Sequence, residues 1–232
     1  MITIPNLYSF GCSLTKDSWP SNLAKNIGFS CINAAVGAGD NLTQIKRFTD
    51  LFLNDSISEN DYVIWEITYL NRLGFRLSPD HHFYIKNKDN NIVNRNFHKF
   101  NKNILDDSYH IDYVAFNKEW HETNWYVQNI NQMLIELLFV LKLINHITKG
   151  KLLVWFAQNN IFESTNVEEK FISYLDKNKI EHLDYKKESL MSWVIDNNYS
   201  LSGDNMHPSQ DVYNLYYKTF ILPRIKDKLN KK

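Results

Sequence analysis

The sequence predicts an α/β protein: a three-layer α/β/α sandwich on a parallel sheet of about five strands, with an insertion after the third. Short apolar runs alternate with segments whose apolar residues recur at helical spacing, the rhythm of strands joined by crossover helices. Within the runs the apolar residues are consecutive, as in strands covered on both faces. Residues 73–123 break the rhythm and define the insertion within a single domain spanning residues 1–232.

Leu7 to Phe10 reads as the first strand, closed by Gly11. Trp19 to Ile27 reads as a helix: Ser18 suits its cap, Pro20 falls in the first turn where its missing N–H is tolerated, and Gly28 ends it. Phe29 to Asn33 is the second strand. Leu42, Ile45, Phe48, Leu51 and Phe52 fall at helical period and predict a helix over Leu42 to Leu53. Tyr62 to Ile67 is the third strand. From Leu73 to Thr123 periodicity is weak and polar and aromatic residues dominate, so loops and a small helix are expected. Val127, Ile130, Met133, Leu137, Leu141 and Ile144 then mark a helix from Trp125 to Thr148, stopped by Gly150. Lys151 to Phe156 and Ile180 to Leu183 are the last strands, and Val167 to Asn178, Leu190 to Asn197 and Ser209 to Leu222 are helices. Pro223 should end or kink the final one, because proline removes a donor and crowds the preceding turn.

Hydrophobic residues make up 44% of the 232 and aromatics 14%, enough for a large core, which sets disorder aside. Lys plus Arg equals Asp plus Glu at 26 each, so no net charge recommends nucleic acid as a partner. The longest apolar stretch, Leu134 to Ile147, is interrupted by Glu136, Lys142, Asn145 and His146 and is too short and charged to span a membrane. With no basic-then-apolar leader at the start, the expectation is a soluble cytoplasmic protein. Cys12 and Cys31 form neither a disulfide scaffold nor a metal knuckle, and they fall toward opposite ends of a parallel sheet.

Ligands of such sheets lie at the carboxyl ends of strands, where the loops after Phe10, Asn33 and Ile67 converge. In Phe10-Gly11-Cys12-Ser13-Leu14-Thr15, Gly11 permits a tight turn and Ser13 stands at the sheet edge ahead of a helix. A serine hydroxyl becomes a nucleophile only beside a base. In Gly203-Asp204-Asn205-Met206-His207-Pro208, Asp204 can fix the tautomer of His207, and Pro208 suits the first position of a helix. The small residues of Asn33-Ala34-Ala35-Val36-Gly37-Ala38-Gly39-Asp40-Asn41 let backbone N–H groups approach a substrate. Each segment alone also fits an ordinary capped junction.

Taken together, the three segments resemble the SGNH hydrolases, the superfamily of GDSL esterases and lipases. The Gly-Asp-Ser block is here Gly11-Cys12-Ser13, similar to a Gly-Cys-Ser bacterial subgroup, and the Asp-x-x-His block is Asp204 to His207. The resemblance implies an SGNH-hydrolase, flavodoxin-like fold with Ser13 as nucleophile, His207 as base and Asp204 as its orienting partner. It implies an oxyanion hole made of the Ser13 N–H, an N–H at Ala38 and a side-chain amide. The third block, usually Gly-x-Asn-Asp, reads Glu66-Ile67-Thr68-Tyr69-Leu70-Asn71-Arg72, which puts Leu70 where the Asn belongs. Either Asn71, after a one-residue offset, or Asn41 from the second loop then supplies the amide. No cofactor or metal is implied. The substrate class is a short acyl ester, such as an acetyl group on a carbohydrate, by hydrolysis or by transfer to an acceptor hydroxyl. The rival class is a catalytically inactive glycan-binding module on the same fold.

Cys12 is a rival nucleophile by adjacency, although the resemblance turns that position toward packing. His81, His82, His98, His110 and His121 match no zinc spacing. Trp120 and Trp125, with Tyr113 and Phe116, form either the insertion's own core or a stacking wall for a sugar. Arg72 either grips an anionic substrate group or makes a surface salt bridge. The Gly37-Ala38-Gly39 loop lacks the lysine of a phosphate loop, which counts against a nucleotide.

Overall fold

A computed structural model describes residues 4–16, 19–36, 41–54, 56–68, 74–76, 83–86, 92–95, 108–110, 124–158, 161–162, 165–202 and 207–230; within 74–76, 83–86, 92–95, 108–110 and 124–131 only the backbone is described. In chain order the elements are Asn6–Phe10 (β1), Ser13–Lys16 (α1), Trp19–Ile27 (α2), Ser30–Asn33 (β2), Asn41–Leu53 (α3), Tyr62–Ile67 (β3), Gly74–Arg76 (β4), Phe83–Lys86 (β5), Ile92–Arg95 (β6), Ser108–His110 (β7), Asn124–Ile147 (α4), Leu152–Phe156 (β8), Thr165–Lys177 (α5), Glu181–His182 (β9), Leu190–Asp196 (α6), Gln210–Tyr216 (α7) and Leu222–Asn230 (α8).

Five strands make one sheet in the order β2-β1-β3-β8-β9, every pair parallel. The chain leaves β1 for β2 on one side and returns to β3 on the other. The crevice at the carboxyl ends of β1 and β3 is therefore the topological switch point.

Side chains alternate across β3 and divide the core into two layers. Val63, Trp65 and Ile67 face Phe48 of α3, Leu137, Leu141 and Ile144 of α4, and Phe171 and Leu175 of α5. Tyr62 and Ile64 face Trp19 and Leu23 of α2, Leu190 and Val194 of α6, and Tyr216 and Ile225 of the C-terminal helices. Helices thus cover both faces, the three-layer arrangement expected of consecutive apolar strands. Phe10 stacks on Trp65 at 4.7 Å between ring centroids, and such pairs add about 0.5–1.5 kcal/mol to the burial itself. Gly28 ends α2 with φ of 74°, a left-handed conformation that favours glycine even though a Cβ there would meet open space.

One feature differs from the sequence reading. Within the insertion the described residues form two antiparallel ribbons, β4 with β7 and β5 with β6. At Pro223 the last helix is distorted rather than ended, the second of the two outcomes expected there: Tyr217–Ile221 adopts a π-helical turn, and α8 continues from Leu222. The wider turn takes up the extra residue where the proline ring would crowd a regular α-helix, so the chain bends its hydrogen-bond ladder instead of stopping. Among the described residues, no helix is long and apolar enough to cross a membrane.

Candidate active site

Ser13 opens α1, a single helical turn set where β1 ends, and three side chains from neighbouring elements tie that turn down. Glu66, near the end of β3, is fully buried. Its Oε2 accepts the Cys12 N–H at 2.9 Å and the Thr15 hydroxyl at 2.5 Å, and its Oε1 accepts the Cys12 thiol at 2.9 Å. By strand alternation Glu66 continues the face of Tyr62 and Ile64, which brings its carboxylate beneath the turn. Asn33, ending β2, donates from Nδ2 to the carbonyls of Thr15 and Lys16 at 3.3 and 3.1 Å. Its Oδ1 accepts from the Ser9 hydroxyl and the Ala35 N–H. Trp19 Nε1 donates to the Leu14 carbonyl at 2.9 Å. These bonds converge on residues 12–16 from three different segments, so the turn carrying Ser13 is fixed from several sides.

Gly11 is required here by space. A Cβ at that position would overlap the Thr15 hydroxyl and the Glu66 carboxylate, the two groups that lock the turn. Cys12 is buried, with its sulfur held by Glu66, and both cysteines are free thiols.

His207 approaches from the other end of the chain. Its carbonyl accepts the Ser202 N–H at 2.6 Å, and Leu201 pairs with Pro208 in an isolated antiparallel bridge, which closes the loop at its base. Ser209 caps α7: its Oγ accepts the Val212 N–H, so the helix begins at Gln210 and Pro208 is not its first residue. The short side chain that can reach back to an orphan N–H sets the boundary, and Pro208 is left in the bridge. The His207 Nε2 lies 2.8 Å from the Ser13 Oγ, although the two residues are 194 positions apart. With its proton on Nδ1, the ring can accept the serine proton at Nε2.

A cavity of about 110 Å³ opens beside this pair. Cys12, Ser13, Leu14 and His207 line one part, Glu66, Ile67 and Thr68 at the end of β3 another, and Ala157, Gln158 and Ile161 after β8 the rest. It lies at the switch point the sheet order defines.

Asn41 has another task than the one expected of it. Its Nδ2 donates to the Thr68 carbonyl and its Oδ1 accepts the Thr68 N–H, both at 3.2 Å, so the fully buried amide staples the start of α3 to the end of β3. Asn41 is not among the residues lining the cavity. Asp204, Ala38, Asn71, Arg72 and Trp120 lie outside the described residues. Trp125 falls in the first turn of α4, where only the backbone is described. Of the histidines in the insertion, His110 falls in β7 and the others lie outside the described residues. Among the described residues no group of three or more His, Cys, Asp or Glu is placed to hold a metal ion.

Glu66 and Asn33 were not singled out by sequence reasoning as site residues. Glu66 did carry a signal: a lone carboxylate inside an otherwise apolar strand must find hydrogen-bond donors if that strand is buried. Asn33 carried none, since an asparagine at a strand end is ordinary.

No protein-family model matches the chain, and no curated protein matches it. Solved structures do match, at the level of fold. EstA, a psychrotrophic esterase from Pseudoalteromonas sp., aligns with a TM-score of 0.55 at 11% identity, over 97% of this chain and 99% of its own. TesA aligns with a TM-score of 0.52 at 12% identity, over 96% of this chain and 98% of its own. YxiM of Bacillus subtilis aligns with a TM-score of 0.51 at 10% identity over 99% of this chain, which spans 58% of that longer one. What the chain shares with these structures is its fold, an α/β architecture with a parallel five-stranded sheet and helices on both faces.

Proposed function

We propose that this chain is a serine ester hydrolase that works through an acyl-serine intermediate. The observation that carries the reading is the 2.8 Å contact between His207 Nε2 and Ser13 Oγ, at the mouth of a cavity on the sheet's switch point. His207 takes the proton of Ser13 as its oxygen bonds to the ester carbonyl carbon, and the carbonyl electron pair moves to oxygen. His207 then gives that proton to the leaving alkoxide as the ester C–O bond breaks. Water repeats the sequence to release the acid. Asp204, three residues before His207, is proposed to orient the ring, and the N–H groups of Ser13 and Ala38 to hold the oxyanion.

The cavity favours a short acyl group such as acetyl. Its volume of about 110 Å³ falls below the roughly 300–1,000 Å³ of clefts that enclose drug-sized ligands. A carbohydrate on the alcohol side, met by Arg72, Trp120 and Trp125, completes the reading. EstA was captured with monoethylphosphonate as its inhibitor, and the same class of reagent suits this site.

The test is turnover of p-nitrophenyl acetate, and of a peracetylated sugar, by the wild-type, S13A and H207A proteins. Acetate release that both substitutions abolish supports hydrolysis. Acetyl groups that appear on an added sugar rather than as acetate indicate transfer. Sugar binding without turnover, unchanged in S13A, would instead establish a binding module.

A further inference from the structure

We infer that Thr68 is a catalytic hydrogen-bond donor, its hydroxyl meeting the negative oxygen that develops on the substrate carbonyl; this rests on the ester-hydrolase reading of Ser13 and His207. Thr68 follows directly on β3, is 3% exposed and lines the cavity. Its hydroxyl is buried and has no hydrogen-bond partner among the described residues. Buried hydroxyls in folded proteins are paired, and one left unmet is costly to retain. The comparison within this chain is direct. Thr15 and Thr148 are as buried as Thr68, and their hydroxyls donate to Glu66 and to the Ile144 carbonyl. Other buried side chains also have unmet polar atoms, but among the described residues Thr68 alone combines that property with a place on the cavity wall.

Thr68 shares the cavity wall with the nucleophile. Phe10 of β1 pairs with Trp65 of β3, and Ser13 and Thr68 each lie three residues beyond that pair. The backbone of Thr68 is held on both sides, its N–H and carbonyl both engaged by the Asn41 amide. The residue is fixed in place while its hydroxyl stays unengaged, the preorganised donor that charge development in a transition state rewards. When Ser13 Oγ bonds to the carbonyl carbon, the displaced electron pair resides on the carbonyl oxygen, and the Thr68 O–H donates to it. No proton is transferred, so the hydroxyl returns unchanged when the carbonyl re-forms.

The decisive variants are T68V, which keeps the shape and removes the hydroxyl, and T68S, which keeps the hydroxyl. With p-nitrophenyl acetate, kcat of T68V falls about 100-fold with KM within about twofold, the lower end of what one oxyanion donor supplies. T68S stays within about threefold of wild type, where an effect of shape alone would not restore the rate. The thermal midpoint of T68V is no lower than that of wild type, because the substitution removes an unmet polar atom. A structural role would instead lower the midpoint. Wild-type kcat in T68V, a change confined to KM, or an equal loss in T68S overturns the inference while leaving Ser13 and His207 in place. A wild-type protein that neither turns over the ester nor is modified at Ser13 by a fluorophosphonate removes the reading beneath it as well.

Discussion

Replacing Gly11 by alanine tests whether the nucleophile turn is held as described. The added Cβ would overlap the Thr15 hydroxyl and the Glu66 carboxylate, both fully buried, so neither can swing into solvent to make room. Forcing a methyl group into a packed site costs about 1–3 kcal/mol. Relief requires breaking the Thr15–Glu66 hydrogen bond, and bonds to a charged group contribute roughly 1.5–3 kcal/mol. Together G11A should lose about 3–5 kcal/mol, which at roughly 2–4 °C per kcal/mol for a chain of this size lowers the melting temperature by about 6–20 °C. The double variant G11A/T15A should recover part of that loss, because removing the Thr15 hydroxyl vacates the worst overlap; a thermodynamic cycle over the two singles then gives a coupling of about 1 kcal/mol or more. The assay is thermal unfolding followed by circular dichroism. A G11A protein melting within about 2 °C of wild type, roughly a third of the smallest shift expected, or strict additivity in the cycle, would refute the reasoning.

Two further outcomes follow from the same residues. In E66A the Cys12 N–H and the Thr15 hydroxyl lose their acceptor, the turn slackens, and the fluorophosphonate labelling rate of Ser13 falls about 10²-fold, the order expected when a reacting atom is displaced by an ångström. E66Q, which keeps one acceptor oxygen, should fall between E66A and wild type, and equal labelling rates in all three would remove Glu66 from the positioning of Ser13. For Cys31, burial pushes the thiol pKa above its ordinary value, opposed by a hydrogen bond with Ser21. Burial disfavours the thiolate, so at a given pH less of it is present and iodoacetamide reacts more slowly than with glutathione; the rate should keep rising at pH values where glutathione has levelled off. A Cys31 profile that levels off at or below that of glutathione contradicts this.

The sandwich was legible because its signals are local and repeated. Tyr62 to Ile67 and Leu152 to Phe156 are uninterrupted apolar runs, and the helix ending at Ile147 shows its stripe over several turns, so period and composition agree. Pro223 left two outcomes open, an end or a distortion, and the choice between them depends on whether one π-helical turn can relieve the crowding, which it does here. Pro208 misled, because capping by the Ser209 hydroxyl outweighed the preference of proline for a first helical position. The site is harder to read than the fold. A sequence does not show which donors surround a buried carboxylate, so the strand's pattern does not reveal Glu66 as the lock beneath a turn. Nor does it show that Asn41 spends its amide on the Thr68 backbone while the neighbouring hydroxyl is left unengaged. Those facts are set by distances between segments that composition and period do not encode.

The most direct measurement is the site and rate of fluorophosphonate modification, read by peptide mass spectrometry on wild type, S13A and H207A. Acceptance of the serine proton by His207 predicts a single adduct on Ser13 in the wild type, none in S13A, and labelling slowed by about 10²–10⁴-fold in H207A, the usual contribution of a general base. An unmodified Ser13 under conditions that label a control esterase, or an H207A protein labelled as fast as wild type, would contradict it.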